Sequence, residues 1–418
     1  MTQPWHDLTL RTVTPAFLGR FGTPDDQTAI VPFPVPSLRG VLAYWLRSLA
    51  GAHLGNIDHL HAVESAVFGS ARTEQSGGPS PVLLRGGRVP LSALAADSQP
   101  DGFRYLMGPG LLAKKDKDGK KVPSPRFLKP GTLELRVRVT GSPASTDLFL
   151  AALWGLRAFG GIGARSRRGF GTIAIDQVPD LGTSHFNLEW LQRDGVADLV
   201  SVLNSVAAAI DEIDLGIERK KVKSAELPSY PCFAERYYRH SRDDEDELLR
   251  GGRDGWRAAL DNAGTWLREF RHGGDRRTAV PQPTVGAHSR TYTDVVQSFL
   301  NSSAPGRWTQ DGPATAAALG LPIPYSDHQG RRDERGKPTQ RVAMINAYVK
   351  GQKARRASPL WLRVRHDGSA WRLRSLAFYS EWLPPSPDAG LTVTWRRHSA
   401  SVDLLTEAQV RAELERWF

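Results

Sequence analysis

Two successive strand–helix units occupy the first 175 residues and restrict the folds that this chain can adopt. The predicted strands, taken from alternating or apolar segments, lie at 8–13, 81–85, 133–139 and 171–175. An amphipathic helix follows the first strand, with Ser37 predicted as its N-cap, and a second helix follows the third strand and stops at Gly160. The order strand, helix, strand, strand, helix, strand predicts a ferredoxin-like fold, an antiparallel sheet with both helices on one face.

The pattern changes near residue 181, which predicts a domain boundary there. The chain has 418 residues, whereas single domains cluster near about 100–150, so two or more domains are expected. The second part contains helical periodicity at 186–213 and charged stretches at 216–253 and 326–341. Its pattern leaves open whether it is a diverged copy of the first fold.

The composition is that of a basic, folded protein. Hydrophobic residues make up 40% and charged residues 24%, which argues against disorder as the main state. Lys and Arg number 55 against 44 Asp and Glu, a net charge of +11. This excess suits a polyanionic partner, nucleic acid before a membrane surface, although a general bias toward arginine would also produce it.

Several classes of protein are disfavoured by the sequence. A single cysteine, Cys232, excludes an internal disulfide and a cysteine-rich metal site. The N-terminus lacks a signal-peptide pattern, and no apolar run approaches the roughly 18 residues that span a bilayer, so we expect a cytoplasmic protein. The sequence also lacks the GxxxxGK[ST], GxSxG and HExxH motifs, and we predict no cofactor, no metal site and no catalytic residue.

The segment GGIGARSRRGFG at 160–171 is the strongest candidate site. Its glycines would let backbone N–H groups approach a phosphate closely, and its arginines would supply permanent charge and bidentate hydrogen bonds. A helix end would need one cationic residue to complement its dipole, and three arginines exceed that need, which favours RNA phosphate as the ligand. The predicted RNA-binding residues of this loop are Gly160, Gly161, Gly163, Arg165, Arg167, Arg168 and Gly169.

Four further cations are candidate RNA contacts. Arg39 and Arg47 share the polar side of the first helix, opposite its leucine stripe. Lys115 and Lys120 belong to a lysine-rich segment predicted to form an exposed hairpin or loop. For all four, a solvated surface position is the alternative interpretation.

These segments together resemble the RAMP superfamily of CRISPR proteins, and within it the first Cmr subunit of type III-B effector complexes. The motifs that carry the resemblance are TPAFLG at 14–19, SLRGVLAYWLR at 37–47, VFGS at 67–70, the glycine-rich loop, LGLPI at 319–323 and RASPL at 356–360. They are distributed over most of the chain.

The resemblance implies an α+β protein of two tandem ferredoxin-like domains with antiparallel sheets, at 1–180 and 181–418. It further implies a non-catalytic subunit that holds the 3′ region of the guide RNA (crRNA) and caps the complex in antiviral defence. The implied partners are guide RNA, target RNA and the other Cmr subunits. The residues carried over from the family are the two helix arginines and the three loop arginines.

An enzyme is the competing interpretation, because some members of the superfamily process precursor guide RNA without a metal ion. Such an endoribonuclease would use general acid–base chemistry at a 2′-hydroxyl, often through histidine. His53, His59 and His61 follow the first helix and could supply that group. His59 and His61 are two residues apart and so point to different faces of a helix, which disfavours metal binding.

Overall fold

The computed structural model of the chain describes fourteen stretches of the sequence. They are residues 3–18, 28–71, 78–112, 125–213, 228–243, 246–251, 255–271, 298–302, 315–321, 323–327, 341–381, 383, 388–395 and 397–418. No helix in these stretches combines the length and the apolar character needed to cross a membrane.

These stretches contain both helices and strands. The strands are β1 (His6–Thr12), β2 (Thr28–Pro32), β3 (Val82–Gly86), β4 (Arg88–Ala93), β5 (Arg126–Leu128), β6 (Gly131–Val139), β7 (Ile173–Gln177), β8 (Tyr238–His240), β9 (Glu247–Leu249), β10 (Ile323–Asp327), β11 (Arg341–Val349), β12 (Gln352–Ala354), β13 (Leu360–His366), β14 (Trp371–Phe378), β15 (Gly390–Trp395) and β16 (His398–Val402). The helices are α1 (Val35–Ala50), α2 (Ile57–Phe68), α3 (Asp101–Met107), α4 (Pro109–Leu112), α5 (Pro143–Phe159), α6 (Glu189–Gln192), α7 (Leu199–Glu212), α8 (Trp256–Arg271) and α9 (Glu407–Glu415).

A four-stranded sheet of order β3–β6–β1–β7 contains the four strands predicted in the first 180 residues. β1 pairs antiparallel with both β6 and β7, and β3 pairs antiparallel with β6. Leu8 lies opposite Leu135, and both belong to one core with the buried faces of α1 and α5. This strand order is ferredoxin-like, and the predicted α+β class with antiparallel sheets is confirmed.

The start of α1 differs from the prediction. The helix begins at Val35 after Pro34, and no side chain caps it, so the prediction of Ser37 as the N-cap is wrong. Pro36 lies in the first turn, where its fixed φ angle suits the helix and its missing N–H is no loss. The N-cap position, at Pro34, is therefore three residues before the predicted one at Ser37.

Two compact units divide the chain. The first unit comprises residues 1–265 and 361–380, and the second comprises 266–360 and 381–418. The first also holds the three-stranded sheet β2–β4–β5 and the sheet β13–β14–β8, in which β9 also pairs with β14. These units are defined by compactness and not by fold. The tandem domains at 1–180 and 181–418 therefore remain a prediction.

The second unit is built on a five-stranded sheet. Its path runs β10–β11–β15–β16, and β12 pairs with β11. Thr406 begins α9 with a capping box, in which its hydroxyl accepts from the Gln409 N–H and the Gln409 side chain accepts from the Thr406 N–H. Trp417 is fully buried after this helix and packs edge-to-face on Phe270, with ring centroids 5.1 Å apart.

Candidate nucleic-acid interface

The glycine-rich loop at 160–171 connects α5 to β7 and is hydrogen-bonded within the first unit. The Ala164 N–H donates to the Phe17 carbonyl at 2.8 Å, and the Ile162 N–H donates to the Gly171 carbonyl at 2.8 Å. On its other side, the Arg167 carbonyl accepts from the Leu362 N–H of β13 at 3.0 Å. The backbone of the loop is thus fixed by the surrounding chain.

The loop glycines approach protein atoms closely. Gly163 has a φ angle of +82°, and a Cβ there would lie 2.5 Å from the Phe17 carbonyl oxygen. A side chain is similarly excluded at Gly160 by Trp45, at Gly161 by the Phe170 carbonyl, and at Gly169 by Val364. These contacts give each glycine a packing role that was not predicted, in addition to the helix end predicted at Gly160, and phosphate contact through the glycines remains a prediction.

Arg167 and Arg168 make contacts within the chain. The Arg167 guanidinium lies 4.7 Å from the ring centroid of Trp361 and 5.5 Å from that of Tyr44, which is cation–π geometry. Arg168 donates through Nη1 to the carbonyls of Tyr105 and Leu106, each at 3.3 Å. Since these carbonyls belong to the last turn of α3, Arg168 stabilises the negative end of that helix.

Arg165 differs from its two neighbours. Its side chain makes no hydrogen bond or ion pair within the described stretches, and burial lowers the pKa of its guanidinium. The Nη2 atom lies 3.3 Å from the points where a Cβ on Gly108 or Gly110 would stand. Its φ angle is +66°, which costs a non-glycine residue about 1–2 kcal/mol. Arg165 is therefore a loop arginine whose guanidinium has no hydrogen-bond or ion-pair partner in the part of the chain that the structure describes.

The remaining predicted cations have separate environments. Arg39 is exposed on α1, where its Nη2 donates to the Gly69 carbonyl at 3.4 Å. Arg47 forms an ion pair with Glu64 of α2. Lys115 and Lys120 lie outside the described residues.

The three candidate histidines do not form one site. His53 bonds through Nε2 to the Leu203 carbonyl at 2.9 Å, His59 is buried, and His61 is exposed. Within the described stretches, no group of three or more His, Cys, Asp or Glu residues is placed to hold a metal ion.

A buried cluster of four arginines was not predicted. It joins Arg157 of α5, Arg363 and Arg365 of β13, and Arg374 of β14 to three aspartates, Asp194, Asp243 and Asp246. Burial and the neighbouring Arg363 charge lower the pKa of Arg157 to about 9, and burial lowers that of Arg363 to about 10. Buried charges are expensive unless they are paired, so this cluster makes the local fold depend on its aspartates.

Asp194 is the aspartate shared by three of these arginines. Burial alone would raise the pKa of its carboxyl, but the guanidinium groups of Arg363 and Arg365 outweigh burial and hold the pKa well below its ordinary range. The lowered pKa means that the stability contributed by Asp194 is complete above the unfolded-state pKa of about 4. It is lost as the pH falls from there through the folded-state pKa.

We therefore expect Asp194→Asn to be less stable than the wild type at neutral pH. The difference between the two thermal midpoints should narrow as the pH falls below about 4, because the wild-type carboxyl is then progressively protonated. Thermal unfolding of both proteins in a series of buffers measures this difference. A difference that stayed constant from about pH 6 to about pH 3 would contradict the assignment.

Comparison with known proteins agrees with these features. Residues 9–174 match the model of the RAMP superfamily. The CRISPR system Cmr subunit Cmr1-1 of Pyrococcus furiosus is 30% identical over 215 residues, which are 47% of this chain and 55% of that protein. Cmr subunit Cmr1-2 of the same organism is 27% identical over 191 residues, 41% of this chain and 95% of that protein.

The fold gives a second, independent comparison. The crystal structure of apo Cmr1 from Pyrococcus furiosus aligns with a TM-score of 0.50 at 18% identity, over 91% of this chain and 89% of that one. This likeness supports the predicted tandem ferredoxin-like arrangement. The matched segment spans about half the length of the first relative. Residues 9–174 of the chain therefore match the RAMP superfamily, and the chain is similar in sequence and in fold to Cmr1.

Proposed function

We propose that the chain is a non-catalytic, RNA-binding subunit of a type III-B Cmr effector complex. In this role it holds the 3′ region of the guide RNA, caps the complex, and has guide RNA, target RNA and other Cmr subunits as partners. The two sequence relatives are named as subunits of a CRISPR Cmr system, which supports the assignment to such a complex. The net charge of +11 suits an RNA partner.

The environment of Arg165 is the observation that best supports RNA binding. Its guanidinium is partly buried and without a hydrogen-bond or ion-pair partner in the described stretches, on a backbone fixed by the glycine-rich loop. A phosphate oxygen would supply the missing acceptor, and a charge-assisted bond at a partly desolvated arginine is stronger than one in open water. Arg39, which is exposed on α1, is a second candidate contact.

Substitution of Arg165 by alanine tests this proposal. We expect the affinity of the chain for a guide-like single-stranded RNA to fall by about tenfold, which is the loss of one charge-assisted hydrogen-bonded contact. The slope of log affinity against log salt should decrease by about 0.7, because one fewer counterion is released from a single strand. Fluorescence anisotropy across a salt series measures both quantities.

Arg193→Ala is the matched control for the change in charge. Arg193 directly follows α6 and is exposed, and its Nη2 donates to the carboxylate of Glu189 in that helix at 2.7 Å. The Arg193→Ala variant should have the RNA affinity and the salt slope of the wild type. Equal losses in the two variants would mean that net charge, and not the loop, sets RNA affinity. Arg168→Ala is unsuitable here, since it also removes a contact to the end of α3.

A further inference from the structure

A polar cavity of about 550 Å³ lies over the buried arginine cluster of the first unit. Arg157, Arg363 and Arg365 line it together with Asp194, and Arg11 of β1 and Asp176 of β7 line another part of its wall. The volume is that of a site for a small molecule or for one end of a larger ligand. The candidate phosphate-contact residues of the glycine-rich loop are not among its lining residues.

Two of the lining arginines are almost fully buried and only partly bonded. Arg157 is 2% exposed and Arg363 is 1% exposed. Arg157 donates through Nη2 to the carbonyls of Trp190 and Gly195, and Arg363 donates through Nη2 to the Ile173 carbonyl at 3.1 Å. The Nε and Nη1 atoms of both side chains are buried and have no hydrogen-bond acceptor among the residues that the structure describes. Buried donors without acceptors are rare in native proteins and destabilise them.

The acidic groups at the cavity are already matched by arginines. Asp176 accepts from Arg11 at 3.0 Å, and Asp367 accepts from Arg372. Three arginines share the carboxylate of Asp194. Its oxygens lie 3.6 Å from Arg157 Nη1, 3.2 Å from Arg363 Nη2 and 3.0 Å from Arg365 Nη1. One carboxylate cannot satisfy three guanidinium groups, so the cluster has an excess of donors.

Asp194 is also the most accessible acid among those that bond the lining arginines Arg157, Arg363 and Arg365. Its side chain is 37% exposed, whereas that of Asp246 is fully buried. It lies in the segment between α6 and α7 and is held chiefly by its bonds to the arginines. An incoming anion could therefore exchange with the Asp194 carboxylate while Asp246 continues to hold Arg365 and Arg374.

We propose that this cavity binds a phosphoryl group, which takes hydrogen bonds from Arg157 and Arg363 and competes with the carboxylate of Asp194 for them. A tetrahedral phosphoryl group has three peripheral oxygens and up to two negative charges, and so matches two adjacent planar guanidinium groups better than a single carboxylate does. The source of the group is either free phosphate or a mononucleotide, or the terminal phosphate of an RNA strand. The proposal does not depend on the role of Arg165.

Titration of the full chain with inorganic phosphate tests the site, with chloride at equal ionic strength as the reference. Calorimetry should show saturable binding of phosphate and none of chloride. Arg363→Gln should weaken phosphate binding by about tenfold or more, because it removes one of the two principal donors. Arg193→Gln, at the exposed end of α6, should bind phosphate as the wild type does.

Asp194→Asn is expected to change the phosphate affinity in the opposite direction, and this test does not require the Arg363 variant to fold. It removes the internal competitor and one negative charge, so phosphate should bind about tenfold more tightly or better. A wild type that gives the same response to phosphate and chloride, or an Asp194→Asn protein with unchanged phosphate affinity, overturns the proposal.

Short RNA strands with a 3′-phosphate or a 3′-hydroxyl then distinguish the two sources. If the phosphorylated strand binds more tightly, and the difference disappears on addition of inorganic phosphate, the site receives a strand end. If the two strands bind equally while inorganic phosphate binds saturably, the site receives a free phosphate or a mononucleotide. Loss of the phosphate response with intact Arg165-dependent RNA binding would separate failure here from failure of the proposed RNA role.

Discussion

Asp246→Asn is expected to lower the free energy of unfolding of the first unit by about 3–5 kcal/mol, which is the cost of breaking a buried ion pair from one side. The buried Asp246 carboxylate lies 2.8 Å from Arg365 Nη2 and 2.9 Å from Arg374 Nη2, and it accepts from the Ser241 hydroxyl at 2.9 Å. Asparagine preserves the shape of the side chain but leaves both guanidinium groups short of negative charge. Chemical denaturation followed by tryptophan fluorescence measures the change.

Asp176→Asn is the control for this prediction. Asp176 also pairs with one arginine, Arg11 at 3.0 Å, but its side chain is 36% exposed. Surface ion pairs contribute about 0–1 kcal/mol, so the control should shift unfolding by less than about 1 kcal/mol. Similar shifts in the two variants would show that burial does not govern the energy of the cluster.

Gly163→Ala is expected to destabilise the first unit by about 2–5 kcal/mol through two separate costs. The left-handed backbone at φ +82° costs an alanine about 1–2 kcal/mol. The added Cβ would also lie 2.5 Å from the Phe17 carbonyl oxygen, and relief of such overpacking costs about a further 1–3 kcal/mol. Denaturation of the variant and the wild type gives the difference.

Gly182→Ala separates the two costs. Gly182 has a φ angle of +73°, but a Cβ there would meet no atom within 4 Å. Only the conformational cost of about 1–2 kcal/mol should therefore remain. If Gly163→Ala were instead as stable as the wild type and bound RNA weakly, the glycine would act at the phosphate, as the sequence suggested, and not in the packing of the loop.

The first sheet was predictable because its sequence carries the local signals of a half-buried strand. β6 alternates buried Leu133, Leu135 and Val137 with exposed residues, and this period of two gives both its strand state and its inner face. The helix between β6 and β7 was equally clear, since its apolar run ends at Gly160. Alternation and helix termination are local properties, so they do not require knowledge of tertiary contacts.

The arginine cluster was not predictable, because it depends on contacts between residues that are far apart in the sequence. Arg363 and Arg365 alternate with apolar residues in β13, which is the pattern of a strand with one solvated face. In the structure both faces of this strand are covered, and the arginines are buried against aspartates distant in sequence, Asp194 and Asp246. Only the tertiary fold brings those charges together.

The candidate site was predicted in part. The glycine-rich loop was identified from its composition, but three closely spaced arginines do not reveal which of them bond within the chain. The aromatic partners of Arg167 and the α3 carbonyls bound by Arg168 lie far away in sequence. Among the described residues, the contacts distinguish Arg165, whose guanidinium has no hydrogen-bond or ion-pair partner there, and charge and spacing alone do not contain this distinction.

Binding of guide-like single-stranded RNA by the full chain, in EDTA and across a salt series, tests the proposed function most directly. A denaturing gel of the same samples reports cleavage. We predict salt-dependent binding with intact RNA, weakened by Arg165→Ala and unchanged by Arg193→Ala. Cut RNA, with cleavage abolished by substitution of His53, His59 or His61, would contradict the non-catalytic assignment and identify a processing endoribonuclease.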